Sequence, residues 1–154
     1  MMRVKACEIL KGREFVSIAT CDFGGKPNAA SKFILKIEAG HIFLVDYVIG
    51  RTLRNLKINP YASLSFVDTH TLTAYQINGP VEIIAGGQEY EKLLKELHQK
   101  EVDLSIQRIM EAVTKGQKHE AFEVANSEKS VIFRVKIEEV VEMGVGGALK
   151  REKA

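Results

Sequence analysis

The stretch His41-Ile42-Phe43-Leu44-Val45-Asp46-Tyr47-Val48-Ile49-Gly50-Arg51-Thr52-Leu53-Arg54-Asn55-Leu56-Lys57-Ile58-Asn59-Pro60-Tyr61-Ala62-Ser63-Leu64-Ser65-Phe66 decides how the chain is read. Ile42 to Val45 form a short apolar strand. Asp46 to Gly50 make a turn. Arg51 opens a basic helix that Asn59-Pro60 stops, because proline has no N–H to donate and disfavours helix in the residue before it. Ala62, Leu64 and Phe66 then alternate with Ser63 and Ser65, the period of a half-buried strand. A strand end feeding a helix start presents free N–H groups and the positive end of the helix dipole, a place suited to an anion. Arg51 there has two readings. It is a solvated side chain, with Arg54 and Lys57 on the outer face, or it holds a phosphate whose charge offsets the unfavourable cation at a helix N-terminus.

Working outward, residues 4–10 predict a helix ended by Gly12. Residues 15–21 are apolar at both parities, which predicts a strand buried on both faces. Asp22-Phe23-Gly24-Gly25-Lys26 predicts a hairpin turn, and residues 28–37 the returning strand. In that strand Ser31, Phe33 and Leu35 fall on one face, and Lys32, Ile34 and Lys36 on the other. The lysines are either solvated or flank an anion or a ring. Residues 71–85 predict a long strand with a bulge or bend at Gly79-Pro80. Past Gly86-Gly87 the period changes. Tyr90, Leu93, Leu94 and Leu97 predict one helix, with Glu91–Lys95 and Glu96–Lys100 as ion pairs four residues apart. Ile106, Ile109, Met110 and Val113 predict a second, capped by Asp103 or Ser105 and ended by Gly116. Residues 117–129 read as loop, 130–142 as the last strand, and 144–154 as a frayed tail.

The sum is one mainly β domain over 1–154. It holds six antiparallel strands, a short helix after the third, and two helices (about 88–116) before the last. Short connections favour a small barrel. The net charge of +2 among 154 residues argues against nucleic acid. No apolar run suits a membrane span or a secretory signal. Cys7 and Cys21, without CxxC spacing, read as free thiols in a reducing cytoplasm, with one disulfide the alternative. His41, His70, His98 and His119 lack ligand spacing, so no metal is expected. No catalytic residue can be named; the serines lack a nucleophile-elbow context.

Taken in order, Phe15-Val16-Ser17-Ile18-Ala19-Thr20, Gly25-Lys26-Pro27-Asn28, the 31–36 strand and the 51–66 block resemble the pyridoxamine 5′-phosphate oxidase-like, FMN-binding split β-barrel family. The ordered series over about 10–86 carries the resemblance; no single motif does. It implies a six-stranded antiparallel split barrel and a homodimer with FMN at the subunit interface. It further implies that Ser31, Lys32, Phe33, Ile34, Leu35 and Lys36 line the flavin, largely through backbone. Val45, Asp46 and Tyr47 would sit beside it, Arg51 would grip the phosphate, and Thr52 would supply a hydroxyl. Thr52 departs from the family, where a second basic residue is common. A family glutamine on the fifth strand falls at Ala74, with Gln76 two residues on. The chain has no tryptophan and no substrate-closing C-terminal segment of the oxidase proper. The expectation is therefore an FMN-dependent oxidoreductase of another small molecule. A non-turnover flavin carrier, and the same barrel holding a deazaflavin or haem, are the alternatives.

Overall fold

A computed structural model describes residues 1–116 and 129–154. The elements, in chain order, are α1 (Met2–Lys11), β1 (Phe15–Cys21), β2 (Pro27–Glu38), β3 (His41–Asp46), α2 (Arg51–Ile58), β4 (Tyr61–Asp68), β5 (Thr73–Ile84), α3 (Gln88–Thr114), β6 (Val131–Lys136), β7 (Glu139–Met143) and β8 (Leu149–Lys153). Six strands close in the order β4-β1-β2-β3-β6-β5, with β5 pairing back to β4; β7 and β8 extend the sheet from β5. All pairings are antiparallel, giving the expected six-stranded barrel with two strands more than expected. The expected loop over 117–129 lies, save its last residue, outside the described residues. No helix among the described residues is long and apolar enough to cross a membrane.

The barrel interior follows the period-two pattern. Val16, Ile18, Ile34, Ile42, Leu44, Ala62, Leu64, Phe66, Ile77 and Phe133 fill it, joined by Leu10 of α1 and by Leu53 and Leu56 of α2. α2 closes the barrel where β1 ends: the Asn55 amide donates to Thr20 Oγ1 at 3.1 Å. β1 is buried on one face, not two. Val16, Ile18 and Thr20 point in, while Phe15 and Ala19 are exposed. The outward face is made of small residues in register, Ser17 beside Ser31 and Ser65, and Ala19 beside Ala29 and Ser63.

A register shift between Ile34 and Lys36 marks a bulge at Leu35. One extra residue re-aims the chain. Ile34 stays inside, whereas Lys36 pairs with Phe43 and lies over its ring, 5.1 Å from the centroid. Lys32, Ile34 and Lys36 therefore do not share a face. At Gly79-Pro80 the β4 ladder runs on unbroken, but the other edge changes partner, from β7 over residues 74–78 to β6 over 81–84. The expected last strand over 130–142 is divided at Ile137-Glu138 into β6 and β7.

The tail is not frayed. Gly146 and Gly147, both at positive φ, turn it back, and β8 pairs with β7 from Leu149 to Lys153. The Glu152 carboxylate then accepts the Met2 N–H at 2.6 Å, satisfying a free donor at the start of α1. Cys7 and Cys21 are free thiols, both half-buried.

The two expected helices are one. α3 runs unbroken for 27 residues, about 40 Å at 1.5 Å each. Neither glycine nor proline interrupts it, and Asp103, instead of capping, accepts from Gln99 one turn back. Tyr90, Leu93 and Leu97 pack over Phe33, Leu35, Phe43, Val45, Ile84 and Ile132 on the barrel's outer wall. The expected Glu96–Lys100 pair does not form. Glu96 pairs with Lys36 at 2.9 Å, and Lys100 Nζ donates to the carbonyls of Ile34 and Leu35 at 2.5 and 2.9 Å. That ammonium caps the backbone oxygens at the bulge, and its burial pulls its pKa below that of an ordinary lysine.

Candidate functional site

The site is built where β3 runs out. Asp46, the last residue of β3, is fully buried, and its Oδ1 lies 2.6 Å from Lys32 Nζ on β2. The same oxygen accepts the Val48 N–H at 3.3 Å. Asp46 Oδ2 is buried with no hydrogen-bond partner among the described residues. This pair fixes the loop leading into α2, and hence where Arg51 stands. Thr52 is 3% exposed and turned inward, its Oγ1 accepting from the Asn28 amide at 3.5 Å. Arg51 is exposed and lines a cavity of about 310 Å³ between the β1–β2 turn and α2. Asp22, Lys26, Asn28 and Arg54 share that cavity. Its cations make it suited to an anion.

A second group lies under α3. Phe33, Leu35 and Val45 are buried against Leu93 and Leu97. Phe33 meets Phe15 edge-on at 5.7 Å and Tyr47 at 6.2 Å. Lys36 is held by Glu38 and Glu96. Tyr47 donates its hydroxyl to Glu101 Oε1 at 2.7 Å, and burial, reinforced by that carboxylate, pushes its pKa well above the ordinary tyrosine range.

The remaining residues stand apart. Ile34 is core. Ser31 and Gln76 are both exposed and share one outward row across four strands, Ser31-Ser17-Ser65-Gln76. Three strand spacings, about 14 Å, separate them. Gln76 donates to Ser63 Oγ at 2.8 Å. Lys32 and Asp46 thus pair at the end of β3, and Arg51 and Thr52 open α2 a few residues on, Arg51 toward the cavity and Thr52 toward Asn28. Phe33, Leu35, Lys36, Val45 and Tyr47 lie beneath α3, and Gln76 lies on the far side of the open face.

Sequence reasoning missed four residues. Arg54, read as outer-face, lines the cavity; its spacing of three from Arg51 on one helix was the available signal. Lys26 reaches the cavity through the packing of the β1–β2 turn on α2, which local sequence does not show. Lys100 was read as the partner of Glu96 and instead caps the carbonyls at the bulge, and Glu101 was hidden by reading α3 as two helices.

The Tyr47–Glu101 contact gives a pH prediction. An unfolded tyrosine ionises near pH 10, whereas Tyr47 in the fold ionises higher. Its contribution to stability is complete below about pH 10 and is lost as pH rises above that value, by at most about 1.4 kcal/mol per pH unit. Urea unfolding at pH 9 and 11 should show a smaller loss in Tyr47→Phe than in wild type. Equal losses would remove the contact as a clamp on α3.

Comparison with known proteins accords with this architecture. The family described as Pyridoxamine 5′-phosphate oxidase matches residues 2–144. An uncharacterized protein of Methanocaldococcus jannaschii is 32% identical over 87 residues, which span 54% of this chain and 57% of that protein's length. A Clostridium acetobutylicum protein related to general stress protein 26, of the pyridoxinephosphate oxidase family, superposes with a TM-score of 0.70 at 17% identity, covering 97% of this chain and 92% of that one. A pyridoxamine 5′-phosphate oxidase-related, FMN-binding protein of Nostoc punctiforme gives 0.61 at 11% identity, covering 99% and 94%. Proteins described as a heme-binding protein of Mycobacterium smegmatis and an F420 reductase share the fold at TM-scores of 0.64 and 0.56, with 16% and 19% identity. The first covers 97% of this chain and 56% of that one, the second 86% and 94%. At these identities the likeness is one of fold.

Proposed function

Because the chain belongs to the pyridoxamine 5′-phosphate oxidase family, we propose that it is an FMN-binding flavoprotein acting as an oxidoreductase on a small molecule other than pyridoxamine phosphate. The observation that carries the reading is the cationic cavity at the start of α2, with Arg51 on its wall and no carboxylate paired to that guanidinium among the described residues. These residues fit a flavin phosphate. Arg51 supplies a charge-assisted contact, and the Asp46–Lys32 pair holds the loop that presents it. Ser31 is the part of the β2 wall left open, since Phe33 and Leu35 lie under α3. The ring therefore belongs at the Ser31 end of the strand, beside the Asn28–Thr52 contact. When bound, FMN supplies the redox chemistry; the chain binds it, orients it and shields it from water.

The open face of β1, β2 and β4, with Ser17, Ala19, Ala29, Ser31, Ser63 and Ser65, is where a second copy would pack closely. Such a homodimer could bring the partner's surface to the Ser31 end of the site. The chain's two half-buried free thiols suit a reducing cytoplasm.

Titration of the purified protein with FMN tests the reading through flavin fluorescence and absorbance. Arg51→Ala is expected to lose roughly 1.5–3 kcal/mol of binding, about one to two decades in Kd. Affinity unchanged within about twofold would take Arg51 out of the site; no binding at all would end the FMN assignment. Native mass spectrometry of the purified ligand separates FMN from a deazaflavin or haem. Stopped-flow reduction by NADH or NADPH separates an oxidoreductase from a carrier.

A further inference from the structure

α3 carries two apolar stripes, and its own barrel uses one of them. Tyr90, Leu93 and Leu97 pack on the outer wall. Farther along the same side, Leu104 packs on that wall, Glu101 accepts from Tyr47, and Arg108 pairs with Glu14. The second stripe is Val102, Ile106, Ile109 and Val113, with Met110 at its edge. Nine residues, about two and a half turns, separate Ile106 from Leu97, so this stripe lies on the opposite side of the helix. Ile106 is 50% exposed, Ile109 38%, Met110 65% and Val113 69%.

The stripe is spaced four, three and four residues apart, the heptad seam by which two helices pack. β-Branched residues hold all four seam positions. Ser105 and Ala112 on one flank are small and leave room for a second helix. The other flank carries Asp103, Gln107 and Glu111, with Lys115 at the helix end. Because the opposite side already fixes α3 to its barrel, only another molecule can cover this seam, and burial of its apolar surface favours that. The apolar residues of α1 and α2 are taken up by the barrel core. Among the described residues, the surface that matches the stripe is therefore the same stripe on a second copy.

Charge selects the direction of the pair. A two-fold axis through Ile109 runs the helices antiparallel. It sets Asp103 of each copy level with Lys115 of the other, since both lie six residues from Ile109. Neither takes part in an ion pair among the described residues. A parallel pair would set Asp103 beside Asp103 and Glu111 beside Glu111, and would align the helix dipoles, all unfavourable.

We propose that the chain self-associates through this seam, the second halves of two α3 helices pairing antiparallel about Ile109. The seam is separate from the β1–β2–β4 face, so it adds a contact between copies whether or not that face pairs. It is also small: five side chains per copy, against about 20–30 residues a side in a standard interface. It is a weak contact that fills as concentration rises.

Sedimentation velocity of the full chain over a concentration series reads it. Wild type should approach twice the mass of Ile109→Glu at the top of the series, and the two should share one mass at the bottom. Unchanged helical circular dichroism and FMN affinity in Ile109→Glu would show α3 and the flavin reading untouched. Asp103→Lys and Lys115→Asp should each weaken the association about threefold to tenfold, because the two-fold axis makes the pair twice. The double variant Asp103→Lys/Lys115→Asp should restore it. These positions are about 18 Å apart along one helix, so the rescue can come only from across the seam. One mass for wild type and Ile109→Glu throughout the series would overturn the proposal, even if Ile109→Glu loses a different protein that co-purifies with wild type. A double variant as weak as its single variants would overturn the antiparallel pairing.

Discussion

Lys32→Met is expected to remove about 3–5 kcal/mol of folding stability, seen as a lower urea midpoint at an unchanged slope. The size follows from burial. Asp46 is fully buried and the Lys32 side chain is 10% exposed, with 2.6 Å between Nζ and Oδ1. A buried carboxylate without its cation keeps the desolvation penalty and loses the attraction that offsets it. Asp46 starts from a poor position, because its Oδ2 has no partner among the described residues and only the Val48 N–H would remain on Oδ1. The double variant Lys32→Met/Asp46→Leu should recover most of the loss, since an apolar pair of similar volume needs no compensation. FMN affinity should fall in both, because the loop that presents Arg51 loses its anchor. A loss below about 1 kcal/mol in the single variant would mean that water reaches Asp46 and that the pair is not what holds the α2 start.

What the sequence showed and what it hid divide along physical lines. Ala62, Leu64 and Phe66 stood out because their burial follows the local period of the strand, and all three point into the barrel. The α2 boundaries were equally local, set by Asn59-Pro60. β1 misled because Phe15 and Ala19 are apolar yet face out; apolar surface on an exposed sheet face looks the same in sequence as core. The Leu35 bulge carries no glycine to announce it, and it alone decides that Lys36 faces α3 while Lys32 faces Asp46. Asp103 and Ser105 have the chemistry of a cap but lie inside a helix, because nothing beside them breaks it. β8, charged at four of its five residues, has no apolar period, and it is a strand only because the glycine turn lays it along β7. The site divided likewise. Arg51 was legible from the strand-to-helix junction, whereas Lys26 joins it only through tertiary packing. The ordered series from Phe15 to Phe66 nonetheless identified the family, since a fold's element order survives where single contacts do not.

Gly79→Ala should be the most damaging single methyl addition in the sheet. Gly79 does not sit at positive φ, so its role is close approach and not backbone freedom. A Cβ there would lie 1.7 Å from the Lys136 carbonyl oxygen and 2.9 Å from its carbon. Both are backbone atoms, so no side-chain rotation relieves the clash. The position is a junction. β5 exchanges β7 for β6 as its partner at this residue, and the chain passes from β6 to β7 directly over it. Glu138 N–H donates to Asn78 O at 3.0 Å, and Ile137 N–H to Gly40 O at 2.9 Å. A methyl group must push this corner away and strain both bonds. The expected loss exceeds about 3 kcal/mol, the upper range for overpacking, because the strain falls on main chain. In thermal unfolding that is a fall of about 6–12 °C. Gly86→Ala is the matched comparison, with open space around its Cβ and no positive φ, and it should stay within about 0.5 kcal/mol of wild type. A Gly79→Ala protein that melts with the Gly86→Ala protein would show that the β6–β7 corner can lift off β5 freely. The barrel would then close without the tight crossing over Gly79.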